Sequence, residues 1–142
     1  MATEDCVFCK IVAGEIPCFK LYEDEHTLAF MDINPASRGH ALAIPKKHEP
    51  NLLESTDGTL AVTIATARKV ARAVQATVNP DGINLVQANG PGAAQSVFHL
   101  HLHVIPRVEG DELKLNWGVP PKPGDMEAIR ILSEKIAASI EA

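Results

Sequence analysis

The chain has 142 residues, 46% of them apolar, and a formal net charge of −5 at pH 7. This length and composition fit one ordinary domain with a hydrophobic core. The negative charge argues against a broad nucleic-acid-binding surface without excluding a local phosphate site. Charged residues interrupt the first apolar stretches, and no stretch approaches the ~20 apolar residues of a membrane span. We therefore expect a cytoplasmic protein that binds neither nucleic acid nor membranes.

The first half of the chain contains short segments that are typical of strands. Phe19–Glu23 and Leu28–Met31 are predicted as two of them. A turn over residues 34–39 leads to a further predicted strand at His40–Ile44, which Pro45 ends. The connection between the last two strands is too short for a parallel crossover, which needs roughly a dozen residues, so they should pair antiparallel.

The second half combines helices with strands. Apolar residues recur at helical spacing from Asp57 to Val78, where Asn79 and Pro80 end the longest predicted helix. Ile83–Gln87 is predicted as a strand, and a last amphipathic helix is expected to start at Asp125.

These elements define the expected fold class. Short connections between neighbouring strands favour an α+β fold with an antiparallel sheet of about five strands, one long helix and one C-terminal helix. We expect a single domain over residues 1–142, with its core at roughly 6–107 and a C-terminal segment at 108–142.

Three of the six histidines alternate with apolar residues inside the segment 98–107. They are His99, His101 and His103. Period-two alternation predicts a half-buried strand with the three imidazoles on one face and the intervening leucines on the other. Imidazole has an unperturbed pKa of ~6.5, which suits proton transfer, nucleophilic attack or metal binding near neutral pH. This segment is the predicted centre of the chemistry, and a solvated strand face is the alternative.

The histidine segment resembles the signature of the histidine triad (HIT) nucleotide-binding proteins. The resemblance covers roughly Cys6 to Arg107, and its detail is most similar to the bacterial form of the Hint branch of purine-nucleoside phosphoramidases. The segments that carry it are Phe30–Pro35, Gly39–His48, the loop Asn89–Gly92, and Gln95–His103.

The resemblance implies a covalent mechanism. His101 would attack the α-phosphorus of a nucleotide and form a nucleotidyl-imidazole intermediate, from which water releases a nucleoside monophosphate. In family members the carbonyl of the first histidine, here His99, accepts a hydrogen bond from one ring nitrogen of the nucleophile. His103 and Ser96 would hold phosphate oxygens or assist the leaving group.

The resemblance also implies residues that hold a purine nucleotide. His40 matches a histidine that supports the triad, and Asp32 matches the carboxylate that holds the ribose hydroxyls. Asn89 matches an asparagine near the phosphate and the leaving group. Gln95 is expected to bind phosphate oxygens, and Ile33 to form an apolar wall for the purine.

A second predicted site involves the cysteines. Cys6 and Cys9 form a C-x-x-C pair, which alone permits zinc binding, redox chemistry or neither. Several bacterial histidine triad proteins carry a structural zinc on two cysteines and two histidines, and His48 and His99 match the latter. We expect a closed zinc site and no metal in catalysis, because the triad segment has no Asp or Glu to complete an open metal site.

Three alternative functions would use some of the same residues. A dinucleoside polyphosphate hydrolase or a nucleotidyl transferase would use the same nucleophile, whereas a zinc-stabilised nucleotide-binding protein would have little turnover. Family members are typically two-fold dimers, so we expect a homodimer, with the helix that starts at Asp57 as a candidate contact. Trp117 is a candidate contributor to the partner's site, and Arg107 to phosphate or carboxylate binding.

Overall fold

A computed structural model describes residues 4–114 and 122–141. The chain forms two compact units, Met1–Asp111 with the sheet and Glu112–Ala142 with the C-terminal helix. Trp117 lies outside the described residues. Within the described ranges, no helix is both long and apolar enough to cross a membrane.

The first unit is built on one antiparallel sheet, which confirms the predicted α+β class. The strands run in the order β1-β2-β3-β5-β4, and every neighbouring pair is antiparallel. Two short 3₁₀ helices, at Leu52–Glu54 and Pro91–Ala93, lie in the connections. The main elements are α1 (Val7–Val12), β1 (Lys20–Glu23), β2 (Thr27–Met31), β3 (Ala41–Pro45), α2 (Asp57–Val78), β4 (Gly82–Val86), β5 (Leu102–Arg107) and α3 (Met126–Ser139).

The long helix α2 covers one face of the sheet. Its first turn is capped by the Thr56 side chain, which accepts the Thr59 N–H, and it ends at Asn79, whose φ of 54° is left-handed. Its buried face packs on small side chains of β2 and β3, which let the helix approach closely. The residues of this cluster are Ala29, Ala41, Ala43, Ala67, Val70, Val74 and Val104.

The opposite face of the sheet carries α1, a six-residue helix that the sequence pattern did not predict. The Cys6 side chain caps it by accepting the Cys9 N–H at 3.2 Å. Phe8 packs edge-on against Phe30 of β2, with ring centroids 5.6 Å apart. His103 pairs with Leu42 across β5 and β3, so it lies on the α1 face of the sheet.

The turn between β2 and β3 is fixed by a glycine. Gly39 has a φ of +94°, and a Cβ there would lie 2.9 Å from Cγ2 of Val78 and 3.2 Å from Cγ of Pro106. Ser37 donates its hydroxyl to the Pro106 carbonyl at 2.7 Å. The turn therefore packs tightly against α2 and β5, and it delivers His40 next to the histidine segment.

The predicted strand over the histidine segment is wrong at its start. β5 begins at Leu102, so His99 and His101 precede the strand. The Leu100 N–H donates to the carbonyl of Glu49 at 2.7 Å and so is committed to the loop after β3. Leu100 itself is 1% exposed, which agrees with the predicted burial of the alternating apolar residues. The predicted strands at His40 and Ile83 are each displaced by one residue at their boundaries.

Candidate active site and metal centre

His101 sits in a buried position that defines which ring nitrogen carries the proton. Its Nδ1 lies 2.7 Å from the carbonyl oxygen of His99, so Nδ1 carries the hydrogen and donates it. The ring is 4% exposed and packs edge-on against Phe8, with centroids 5.1 Å apart. Burial lowers the pKa of His101, which keeps the ring neutral and leaves a lone pair on Nε2.

A chain of hydrogen bonds fixes the neighbouring histidines. The Ala36 N–H donates to Nδ1 of His40 at 2.9 Å, so the proton of a neutral His40 is on Nε2. That Nε2 lies 2.9 Å from Nδ1 of His103 and 3.4 Å from Oδ2 of Asp32. His103 therefore accepts through Nδ1 and carries its own proton on Nε2. Burial and the neighbouring imidazoles lower the pKa of His103 to about 4.

Asp32, His40 and His103 also bring three potential metal-ligating atoms within 4.8 Å of one another. The sequence argument against a metal on the triad was therefore incomplete, because the fold supplies a carboxylate from the end of β2. The hydrogen bond from Ala36 opposes metal binding here, since it holds the His40 lone pair at Nδ1 and the proton at Nε2. The geometry is that of a chain of hydrogen bonds from the Ala36 amide through His40 to His103.

The predicted phosphate-binding amides are engaged within the protein. Gln95 is 4% exposed, and its side-chain hydrogen bonds to the described residues all involve main-chain groups. Asn89 accepts the Leu52 N–H at 2.8 Å and forms a reciprocal amide pair with Gln87. Both amides therefore tie loop segments together, and none of these hydrogen bonds involves the three histidines.

The remaining predicted residues differ in exposure. Ser96 is exposed and Asp32 half-buried, so both are accessible to a ligand. Ile33 is 75% exposed beside Asp32, where a base could cover it. Arg107 pairs with Asp111, with Nη2 2.6 Å from Oδ1, and donates to Asn84, so its guanidinium is committed to carboxylate and amide partners.

The four predicted zinc ligands converge. Cys6 Sγ lies 3.4 Å from Nδ1 of His99, and Cys9 Sγ lies 3.3 Å from Nδ1 of His48. Cys9 Sγ and His99 Nδ1 are 3.5 Å apart, and the two Nδ1 atoms are 3.2 Å apart. A tetrahedral zinc with Zn–N of ~2.0–2.1 Å and Zn–S of ~2.3 Å separates its ligand atoms by roughly 3.3–3.6 Å along these edges. The donor set therefore fits zinc.

His99 links this cluster to the nucleophile. Its Nε2 donates to the Pro45 carbonyl at 2.7 Å, which leaves the Nδ1 lone pair directed at the thiols, as in metal-bound histidines with an outer-shell carbonyl. Burial lowers the pKa of His99 to about 4, consistent with a neutral ligand. Its own carbonyl is the acceptor for His101, so one residue serves both clusters.

The sequence resemblance predicted the His99 carbonyl as the acceptor for His101, but sequence patterns missed two other backbone groups of the site. The Ala36 amide and the Pro45 carbonyl set the protonated nitrogen of two imidazoles, but main-chain groups leave no residue-type signal. Glu49 was also missed; it is 6% exposed, accepts the Thr56 N–H at 2.7 Å and holds Leu100 through its carbonyl. Only its place beside His48 could have indicated it.

Comparison with known proteins identifies the family of this chain. The sequence model of the HIT domain family matches residues 13–110. Protein hit of Bacillus subtilis is 43% identical over 141 residues, covering 96% of this chain and 97% of the relative. Adenosine 5'-monophosphoramidase hnt1 of Schizosaccharomyces pombe is 43% identical over 136 residues, covering 96% and 98%. The chain belongs to the HIT family.

Solved structures agree on the fold. The crystal structure of SMU.412c from Streptococcus mutans superposes with a TM-score of 0.92 at 44% identity, covering 99% of this chain and 88% of that chain. A zinc-bound histidine triad family protein from Mycobacterium smegmatis has a TM-score of 0.73 at 40% identity, covering 94% of each chain.

Proposed function

We propose that this HIT-family enzyme hydrolyses purine nucleoside 5'-phosphoramidates, and related nucleotides substituted on the α-phosphate, to a nucleoside monophosphate. Hydrolysis of a nucleotide is the general activity that the family and its relatives support. The Schizosaccharomyces pombe relative is named an adenosine 5'-monophosphoramidase, which supports a P–N bond to an amine as the bond that is cleaved.

The observation that carries the proposal is the hydrogen bond that fixes the orientation of the His101 ring. With Nδ1 donating to the His99 carbonyl at 2.7 Å, Nε2 presents its lone pair as the nucleophile. Attack on the α-phosphorus forms a P–N bond to His101 and expels the amine, which takes up a proton as it leaves. Water then attacks the same phosphorus, breaks the bond to His101 and gives the monophosphate.

Neighbouring groups would stabilise and orient the reacting phosphate. His103 offers an Nε2–H because its Nδ1 accepts from His40, so it would donate to a phosphate oxygen or to the leaving group. Ser96 would donate its hydroxyl from the exposed side of the site. Asp32 would hold the ribose hydroxyls, and Ile33 would pack against the purine ring.

We also propose a structural zinc on Cys6, Cys9, His48 and His99. The ligand-atom separations support it, as does the zinc-bound Mycobacterium smegmatis relative. Zinc would cross-link α1, the loop after β3 and the histidine segment, and it would supply no Lewis-acid chemistry to the phosphate.

A homodimer completes the proposal. β4 is an edge strand that pairs only with β5 within the described sheet, and an open edge of this kind can pair with its copy around a two-fold axis. Leu85 of β4 is 46% exposed, and Ile64 of α2, the helix expected at the dimer contact, is 47% exposed. Pairing of two β4 strands would form one continuous sheet.

The test is turnover of an adenosine 5'-phosphoramidate that carries a fluorescent amine. We expect the native protein to release AMP and amine, and His101→Ala to lose activity by several orders of magnitude, because removing a covalent nucleophile costs about that much. His26→Ala is the matched control, since His26 is an exposed histidine in the turn between β1 and β2. Unchanged turnover in His101→Ala would overturn the assignment.

Other substrates separate the alternatives. If the protein hydrolyses diadenosine polyphosphates and not the phosphoramidate, the dinucleoside polyphosphate hydrolase is favoured. Formation of a new nucleotide in the presence of phosphate or another acceptor would favour the transferase, because the covalent intermediate would be passed on. Tight AMP binding with no turnover of either substrate would favour a nucleotide-binding protein.

A further inference from the structure

The side-chain amide of Gln95 is buried, and both its oxygen and its nitrogen are hydrogen-bonded. Its Oε1 accepts the Gly90 N–H at 2.8 Å. Its Nε2 donates to the carbonyl of Pro50 at 2.7 Å and to that of Val97 at 3.1 Å. The residue is 4% exposed.

An amide nitrogen has two hydrogens, and both are used here. A direct bond from Gln95 to phosphate would break a buried hydrogen bond and leave a main-chain carbonyl without its partner, which is costly. The geometry therefore opposes the direct phosphate contact that was expected from the sequence.

The partners of Gln95 come from separate segments that surround the site. Gly90 opens the loop before Ser96, and Pro50 lies in the loop that carries His48. A second tie joins the same two regions, because the Leu100 N–H donates to the Glu49 carbonyl at 2.7 Å. Residues 96–99 are thus attached at both ends to the loop 48–50.

We infer that Gln95 is a positioning residue, a main-chain clamp that holds Ser96 in place for the reacting phosphate and does not itself contact the nucleotide. This inference rests on the proposed function for its kinetic consequence and on the hydrogen bonds alone for its structural one. Gly90 has a φ of +89°, so the clamp also holds the loop in a backbone conformation that favours glycine.

Two substitutions separate the bonds of the clamp. Gln95→Met keeps the length of the side chain and removes all three hydrogen bonds. Gln95→Glu keeps an acceptor for the Gly90 N–H but cannot donate to either carbonyl when ionised. Gln75→Met is the matched control, because exposed Gln75 on α2 also donates to a proline carbonyl, that of Pro80, at 3.4 Å.

The kinetic test is a double-mutant cycle with Ser96→Ala. We expect Gln95→Met and Gln95→Glu to lower kcat about 10- to 100-fold with little change in KM, because a displaced positioning group can cost about 100-fold. In the Ser96→Ala background the same substitutions should lower kcat by less than about 3-fold, since the group they position is absent. An undiminished loss in that background would overturn the inference in favour of direct contact.

A spectroscopic test uses the unaltered protein and needs no turnover. In amide NMR spectra, with the signal assigned by its loss in Gln95→Met, we expect the Gln95 NH₂ protons to exchange slowly with solvent in the free protein. Saturating AMP should leave their chemical shifts nearly unchanged. Fast exchange, or a large shift on AMP binding, would overturn the inference. If the native protein does not hydrolyse the phosphoramidate, the proposed function is overturned. The NMR measurement would still decide whether Gln95 contacts the nucleotide.

Discussion

At the scale of single residues, the site depends on which nitrogen of each imidazole carries its proton. The His99 carbonyl places the proton of His101 on Nδ1, and the Ala36 amide places that of His40 on Nε2. His40 in turn donates to Nδ1 of His103, so His103 carries its proton on Nε2 and donates from that atom. Main-chain groups are rigid, so they hold these states without the entropy cost of ordering further side chains.

The low pKa of His103 predicts an acid-sensitive fold. Unfolded histidine has a pKa of ~6.5, whereas that of folded His103 is about 4. Between these pH values the unfolded chain binds a proton at His103 that the folded protein does not bind. The free energy of unfolding is therefore highest above pH ~6.5 and falls as the pH drops towards 4. Urea unfolding at several pH values in this range should give a plot of unfolding free energy against pH whose slope is smaller in His103→Asn than in the native protein, by the equivalent of about one proton. Identical slopes would contradict the prediction.

At the scale of elements, tight packing between connections and helices positions the site. The β2–β3 turn touches both α2 and β5 at Gly39, and it carries Ala36 and His40 to the histidine segment. The N-terminus of α2 is held by a hydrogen bond from the Thr56 N–H to the side chain of Glu49. These loops are therefore fixed by contacts with the elements that form the core.

A substitution at Gly39 tests this packing. Gly39→Ala places a Cβ at positive φ and 2.9 Å from Val78, so we expect a loss of about 1–3 kcal/mol in the free energy of unfolding. Gly58→Ala is the control, because Gly58 lies in the first turn of α2 with no atom within 4 Å of the added Cβ. Chemical denaturation of both variants measures the effect; equal stability of the two would contradict it.

Sequence patterns predicted the elements that have strong periodicity. The apolar spacing of α2 and the alternation in the histidine segment need only local information, and they predicted the long helix and the presence of β5. The short connections between strands then predicted the correct fold class. The six residues of α1 are too few for a helical period, and the helix is stabilised by its cap and by packing on the sheet. The early start predicted for β5 failed because Leu100 bonds to a loop rather than to a strand.

The roles of side chains were harder to predict than their location. Gln95 is predicted from the sequence to bind phosphate, but an amide donates equally well to phosphate or to a carbonyl, and in the structure its Nε2 donates to two main-chain carbonyls. Asp32 was expected at the ribose, and the structure also sets it 3.4 Å from His40. Its assignment to the ribose remains a prediction.

At the scale of the whole molecule, the proposed zinc would act as a cross-link between distant parts of the chain. Cys6 and Cys9 lie about 40 residues before His48 and about 90 before His99, and these separations make closure of the loops in the unfolded state costly. A bound metal would remove that freedom and stabilise the folded form.

Zinc content and stability test the cross-link. We expect one zinc per chain in the native protein and in Cys18→Ser, and none in Cys9→Ser, because Cys18 lies outside the ligand cluster. Chelation should cost about 3–4 kcal/mol of stability relative to protein in free zinc at 100–1,000 times its Kd. Elemental analysis and thermal unfolding measure both, and full zinc retention in Cys9→Ser would refute the site.

The two edges of the sheet predict different effects on assembly. Leu85→Lys places a charge on the β4 edge and should convert the proposed dimer into a monomer. Leu21→Lys is a matched substitution on β1, the opposite edge, where the side chain is 48% exposed, and it should leave the dimer intact. Light scattering gives the mass; a dimer that survives Leu85→Lys and is lost in Leu21→Lys would reverse the assignment.

The covalent role of His101 is tested most directly by trapping the nucleotidyl intermediate. The native protein would be mixed with an adenosine 5'-phosphoramidate, quenched within milliseconds under alkaline conditions that preserve a phosphorus–imidazole bond, and analysed by peptide mass spectrometry. We predict one adenylyl group on the peptide that contains His101, absent from His101→Ala and retained in His26→Ala. An adenylyl group on another residue, or rapid turnover with no adduct at any time, would contradict the proposed mechanism.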